Sequence, residues 1–284
     1  MALGSQKVSR STGGNIAILT FLTLLGLVMA LPFFYTIIQS LKPLDELFIF
    51  PPRFWVVKPT LDNFTLLFGL TENLWVPFSR YLFNTTYLAI LCTAIQVIVA
   101  SMAAYPLAKH QFPGKGLIFG LVTLSLLFTA DVTFLPSYII ISSMRMIDSH
   151  LAMIIPTIAY SFGLYLMRQN LVNFPDSIIE SARIDGASES KIFWRIIMPS
   201  NKAVWMTMIV FSFSGMWSRS DTAYIYSEEL KGLPTLLNTI SAAGIARTGV
   251  AAATSVLLII PPIIVFMITQ SNVIETMASS GMKD

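Results

Sequence analysis

Charged residues along this chain leave long apolar intervals between them. Arg10 to Lys42 brackets 31 uncharged residues, Arg80 to Lys109 brackets 28, and Lys115 to Arg145 brackets 29, interrupted only by Asp131. Asp148 to Arg168 leaves 19, Lys202 to Arg219 leaves 16, and Arg247 to Glu275 leaves 27. A helix crossing the hydrocarbon core needs about 20 apolar residues. The intervals therefore predict six spans, at about 15–39, 82–107, 117–143, 150–170, 202–218 and 249–270. The expected fold class is all-α, a polytopic membrane protein forming a single domain over 1–284.

The fifth span is short, since 16 residues rise only about 24 Å. Lys202 and Arg219 can snorkel at its ends, and Trp205 and Trp217 fall where aromatic belts form. The first span follows Lys7 and Arg10, as a signal peptide would. Its apolar run from Ile16 to Ile38 exceeds a signal core, and no A-x-A site follows it, so it is read as retained.

Six spans put both termini on one side. With that side cytoplasmic, the inner segments, including Lys7, Arg10 and Lys283, hold ten cations against eight outside. That is a small positive-inside bias. The long outer segments are 41–80 and 219–248, and the notable inner one joins spans four and five. No internal repeat is visible, so the inverted-repeat mark of many secondary transporters is missing.

Composition agrees with a lipid solvent. Apolar residues are 55% of the chain, charged residues 12%, and the mean hydropathy is +0.71. A soluble domain carries about twice that charge. The net charge of +3 is small and dispersed, which argues against nucleic acid as a partner. One cysteine, Cys92, excludes an intrachain disulfide, and His110 and His150 lie too far apart for a local metal-ligand motif. No phosphate-binding G-x-x-x-x-G-K-[ST] loop, G-x-S-x-G or H-E-x-x-H occurs, so the chain is read as neither an ATPase nor an enzyme.

The inner segment at 173–200 carries the most specific pattern. Pro175 and Asp176 suit a helix start, Gly186 a helix end, and Ser188 the cap of a second helix that stops at Pro199. Ile178, Ile179, Ala182 and Ile184 form a candidate apolar face, and Ile192, Phe193, Ile196 and Ile197 another. By spacing alone this is equally an amphipathic interfacial hairpin anchored by Trp194.

Glu180-Ser181-Ala182, then Gly186 after three residues, then nine residues and Ile196-Ile197-Met198-Pro199, resembles the signature loop of ABC-importer permeases. Ser181 stands for the family's alanine and Met198 for its leucine. The string Glu-Ser-Ala-Arg-Ile-Asp-Gly-Ala-Ser, with Pro43–Leu47 and Pro59–Phe64, is similar to the carbohydrate branch, which includes maltose, alginate and oligosaccharide permeases.

The resemblance implies a bacterial inner-membrane subunit with cytoplasmic termini, carrying sugar through half of a pathway. It implies a second permease subunit, two ATP-binding subunits that hold ATP and Mg, and an extracytoplasmic sugar-binding protein. Glu180, Ser181, Ala182, Asp185, Gly186 and Ala187 would dock the ATPase, through a small-residue face and two carboxylates. In the outer segment, Tyr224, Tyr226, Glu228 and Glu229 would meet the binding protein.

Asp131 is the acidic residue inside a span. Such a carboxylate costs about 2.5–3.5 kcal/mol on insertion scales. It either faces the pathway or bonds Thr129, Thr133 or a neighbouring helix. Asn84, Tyr160 and Tyr165 are further pathway candidates, and Pro136 and Pro156 are expected to kink spans three and four. An ion-coupled secondary transporter using Asp131 is the rival reading, and a membrane assembly protein without transport is a third.

Overall fold

The computed structural model describes residues 12–72, 75–220, 222–242, 244 and 247–280, with side chains at all of these except 12, 130 and 271–280. Lys7, Arg10 and Lys283, named above, lie outside the described residues. Among those described there is no strand.

The helices, in order, are α1 (Thr12–Ser40), α2 (Leu44–Leu47), α3 (Asp62–Glu72), α4 (Phe78–Lys109), α5 (Lys115–Ser125), α6 (Ala130–Ser143) and α7 (Leu151–Ile154). Then come α8 (Ser161–Val172), α9 (Asp176–Ile184), α10 (Glu189–Ile192), α11 (Met198–Ser200), α12 (Lys202–Trp217), α13 (Leu233–Ser241) and α14 (Thr248–Ser280).

Among the described residues, four segments are long and apolar enough to cross a membrane: Gly13–Ser40, Phe78–Lys109, Leu151–Val172 and Thr248–Gln270. A fifth arises if Glu189–Ser200 and Lys202–Trp217, which meet at 79°, count as one span. The expected third span is not one helix. It breaks at 126–129 into α5 and α6. Thr129 is extended there (ψ 157°) and Asp131 falls in the first turn of α6. Thr and Asp compete with an ongoing helix and favour its start, and an acidic group near a helix N-terminus is favourably placed. The break therefore sits just ahead of the carboxylate, while Pro136 is carried inside α6. Pro156 does interrupt the fourth span, in the single 3-10 turn Ile155–Thr157.

The chain forms two compact units. One comprises Met1–Leu67 with Ala243–Val256. In it, Asn63 Nδ2 donates to the carbonyls of Ser40 (2.9 Å) and Lys42 (2.8 Å), closing the end of α1. Lys42, only 2% exposed, donates to Arg53 O at 2.5 Å. Glu46 accepts the Val57 and Lys58 amides, and these bonds hold its carboxyl below the usual range. A Cβ at Gly249 would lie 2.2 Å from Asn63 Oδ1, so glycine is required there. The side chains of α1 are exposed on all sides and mostly apolar, the pattern of a helix bathed in lipid or hydrophobic protein.

The second unit, Phe68–Ala242 with Leu257–Asp284, is built on α4, which packs against α8 and α12. Between α4 and α12, Ser212 Oγ donates to Gln96 Oε1 (2.5 Å) and lies at hydrogen-bond distance from the Thr93 hydroxyl (3.2 Å) in the buried interface. Gly163 lets α8 approach closely, since a Cβ there would meet the Tyr160 ring at 2.3 Å and Met208 at 2.9 Å.

Candidate functional site

Residues 173–200 fold as two short helices around a glycine, as their sequence predicts. Pro175 (ψ 123°) leads into α9 with Asp176 in its first turn. Gly186 takes φ +74°. Its amide donates to Arg183 O (3.0 Å) and that of Ala187 to Ala182 O (2.9 Å), the paired bonds of a Schellman ending. A π turn at Phe193–Ile197 and the short α11 then lead to the bend at Asn201.

The loop is fastened to the C-terminal end of α4. Lys109 Nζ reaches Asp176 Oδ1 (2.7 Å) and Phe174 O (2.6 Å). Glu189 accepts from Arg183 Nε (2.8 Å) and Tyr105 OH (2.7 Å), with His110 Nε2 at 3.5 Å. The Arg183 bond is the main reason the Glu189 carboxyl lies below its ordinary range. Ile179 and Ala182 enter a buried cluster with Tyr105, Met167, Leu171, Ile192, Phe193 and Ile197.

This divides the expected docking residues. Glu180, Ser181, Asp185 and Gly186 are exposed, and Ala187 is half-buried against the cluster. Ala182 is 9% exposed and faces the protein's own core, so it does not belong to an outward small-residue face. Ile178 and Ile184 also depart from the expected inward face. Both are exposed, Ile184 at 86%. The short helix has room to bury only one i, i+3 stripe.

The second long segment, expected outside the membrane, is fastened to the other end of α4. Asn84 Nδ2 donates to Glu229 O (2.8 Å) and Lys231 O (3.0 Å), Arg80 Nε to Glu229 O (3.2 Å), and Tyr81 OH to Glu228 Oε2 (3.1 Å). The Leu233 amide donates to Thr85 Oγ1 (2.7 Å). Asp148 accepts the amides of Tyr226 (2.9 Å) and Ser227 (2.8 Å) and the Ser227 hydroxyl. These bonds, that hydroxyl first, hold the Asp148 carboxyl below its usual range.

Tyr224 is therefore not a surface contact. It is buried against Phe134 and Tyr138. Glu228 is exposed but bonded to Tyr81 and to Lys231 Nζ (2.5 Å), and exposed Tyr226 shares a hydroxyl hydrogen bond with Tyr138 (3.2 Å), whereas Glu229 presents an exposed side chain. Asn84 likewise departs from the pathway expectation: it is fully buried, because the loop carbonyls need its amide. Nothing in its sequence neighbourhood pointed to partners some 145 residues away.

Asp131 is exposed, as is Thr129, and Tyr165 stacks half-buried on Phe119. Among the described residues the buried Tyr160 hydroxyl has no hydrogen-bond partner. Ser125, the last residue of α5, hydrogen-bonds Ser161, the first of α8, at 2.8 Å. The breaks in spans three and four are thereby brought together, which sequence reasoning missed. Among the described residues no group of three His, Cys, Asp or Glu is arranged to hold a metal.

The described residues thus form an all-helical, multi-pass membrane protein whose amphipathic loop 173–200 is seated on α4. No protein-family model matches the chain. Protein LplC of Bacillus subtilis is 32% identical over 217 residues, covering 75% of this chain and 70% of LplC. The arabinooligosaccharides transport system permease protein AraQ of the same organism is 28% identical over 273 residues, covering 95% and 96%. A chain of a bacterial ABC transporter involved in import of the acidic polysaccharide alginate matches in fold, with a TM-score of 0.76 at 20% identity, over 93% of this chain and 99% of that one. The chain belongs to the permease family of carbohydrate ABC importers.

Proposed function

We propose that the chain forms half of the translocation pathway for an oligosaccharide in an ATP-driven importer, with six spans and cytoplasmic termini. The broken α5–α6 segment serves as the third span and α12 as the fifth. A second permease subunit supplies the other half, two ATP-binding subunits carry ATP and Mg, and a sugar-binding protein delivers the substrate outside. Nothing in this chain is assigned a catalytic role.

The observation that carries the reading is the loop 173–200. It is braced by Lys109, Tyr105 and Arg183, yet Glu180, Ser181, Ile184, Asp185 and Gly186 point away from the core. An inward side bonded to α4 and an outward side left bare are what a docking helix requires. The exposed apolar Ile184 adds an anchor beside the carboxylates. Outside, the reading narrows the binding-protein contacts to Tyr226, Glu229 and the exposed edge of Glu228.

The test is uptake and ATP hydrolysis in vesicles holding the assembled importer. Substrate-stimulated hydrolysis should depend on the outward face of α9, and uptake should stop when ATP is withheld. Uptake driven by an ion gradient without ATP would favour the carboxylate-coupled rival and overturn the reading.

A further inference from the structure

At the C-terminal end of α1 the chain folds a loop, residues 43–60, that is pinned from within. Buried Lys42 donates from Nζ to Arg53 O, Glu46 accepts the Val57 and Lys58 amides, and the Thr60 amide donates to Leu41 O at 2.9 Å. These bonds consume polar groups on the inside of the loop. Its outside is apolar: Phe54 is 41% exposed and Trp55 71%, with Val57 exposed beside them.

Depth is set by α1. Its apolar run from Ile16 to Ile38 makes about 34 Å of helix against about 30 Å of hydrocarbon, so Ile38 stands at the edge of the acyl region. Tyr35 lies nearly one turn inside that edge. The Phe54 ring packs on the Tyr35 ring with centroids 5.6 Å apart, and Trp55 meets Phe54 edge-on at 5.3 Å. The loop therefore folds back along the helix and holds two exposed aromatic rings where acyl chains meet headgroups. Arg53 and Lys58 flank them, both exposed and neither in an ion pair among the described residues. Aromatic rings with cations beside them suit a phospholipid interface, and lipid phosphates are the anions at hand at this depth.

We propose that loop 43–60 is a phospholipid anchor. Phe54 and Trp55 seat at the headgroup–acyl boundary, Arg53 and Lys58 pair with the phosphates of anionic lipid, and together they fix the depth and rotation of α1. The helix needs such a device. From Gly13 to Gln39 none of its side chains is buried, so packing within the chain does not hold it in place. The tilt and rotation of a spanning helix are set either by packing or by interfacial anchors of this kind.

The test uses the assembled importer in lipid nanodiscs, with Cys92→Ala and Val57→Cys carrying nitrobenzoxadiazole. Three quenchers are compared: a nitroxide near the headgroup end of the acyl chain, a nitroxide near its methyl end, and iodide in water. The shallow nitroxide should quench about twofold more than the deep one, as a group about 5–10 Å into the interface requires, and iodide should quench least. Phosphatidylglycerol in place of part of the phosphatidylcholine should raise the shallow quenching, and Arg53→Glu with Lys58→Glu should remove that rise. Should Val57→Cys fail to assemble, Trp55→Cys carries the probe instead. Quenching by iodide alone would place the loop in water. Protection from all three quenchers would show that another protein subunit covers it, and indifference to phosphatidylglycerol would show that the cations pair with no lipid. Each of these results would overturn the anchor and leave the importer reading standing.

Discussion

The two loops that α4 carries at its ends are built on opposite plans. At the inner end, Lys109, Tyr105 and Arg183 grip Asp176 and Glu189, and between them the carboxylates of Glu180 and Asp185 stay exposed, with no ion pair among the described residues. At the outer end, Asn84, Arg80, Tyr81 and Asp148 grip the loop itself, taking its carbonyls, its amides and the Glu228 carboxylate. Tyr224 is drawn into the core as well. A loop braced at its flanks keeps a surface for a partner, whereas a loop bonded along its length spends that surface on its own helix. Both are tied to one 32-residue helix, about 48 Å long, which is long and apolar enough to cross a membrane.

The contrast is broken most severely at the inner loop. Glu180→Lys should lose substrate-stimulated ATP hydrolysis and uptake by at least about tenfold, since like charges across an interface cost several kcal/mol. Its thermal unfolding midpoint should stay that of wild type, because the side chain touches no span. Gly186→Leu should show the same functional loss with a lowered midpoint. The cause is backbone geometry: a Cβ there meets nothing within 4 Å, but φ +74° costs an L-residue about 1–2 kcal/mol. Wild-type stimulation in both variants would show that the outward face of α9 docks nothing.

At the outer loop the expected effects are on stability. Tyr224→Ala should destabilise by about 3 kcal/mol, the cost of emptying a buried aromatic site. Asn84→Ala should cost about 2 kcal/mol by leaving the carbonyls of Glu229 and Lys231 without their donor. Denaturation of the purified chain in detergent checks both. Amide exchange over 225–233 should rise in Asn84→Ala while exchange over 176–190 stays unchanged.

The acid response is smaller. The Asp148 carboxyl lies below its ordinary value, so its contribution is complete above about pH 3.9 and is lost as pH falls through the folded value. Protection of the Tyr226 and Ser227 amides should be flat from pH 7 to about pH 5 and decline only below about pH 4. Asp148→Asn should remove that acid step. A loss near neutral pH would contradict the assignment. Smallest of all, Tyr226→Ala should change stability by no more than about 0.5 kcal/mol, as for an exposed side chain, and weaken only the response to the binding protein.

Much of this was legible without coordinates. The charge-free intervals located α1, α4, α12 and the start of α14 within a few residues, because a spanning helix must be apolar over a length that the bilayer dictates. The helix–glycine–helix at 173–200 was legible because Pro175, Gly186 and Ser188 act on backbone geometry within a turn of themselves. The break in span four was flagged by Pro156, but that in span three was not: Asp131 reads as an oddity inside a span, and that the two breaks lie side by side shows only in the contact of Ser125 with Ser161, 36 positions away.

Local and compositional constraints thus gave from sequence alone that the chain lives in lipid, the bounds of its longest apolar helices, and where the loop 173–200 turns. Tertiary structure decided which polar side chains are already taken. Glu180 and Glu228 look alike as sequence, each an acid in a loop segment outside the spans. One is left bare on α9 and the other lies within 3.1 Å of the Tyr81 hydroxyl. A hydrogen bond between residues nearly 150 positions apart leaves no periodicity and no spacing to read, because only the packing of α4 against the rest of the fold brings its two ends together.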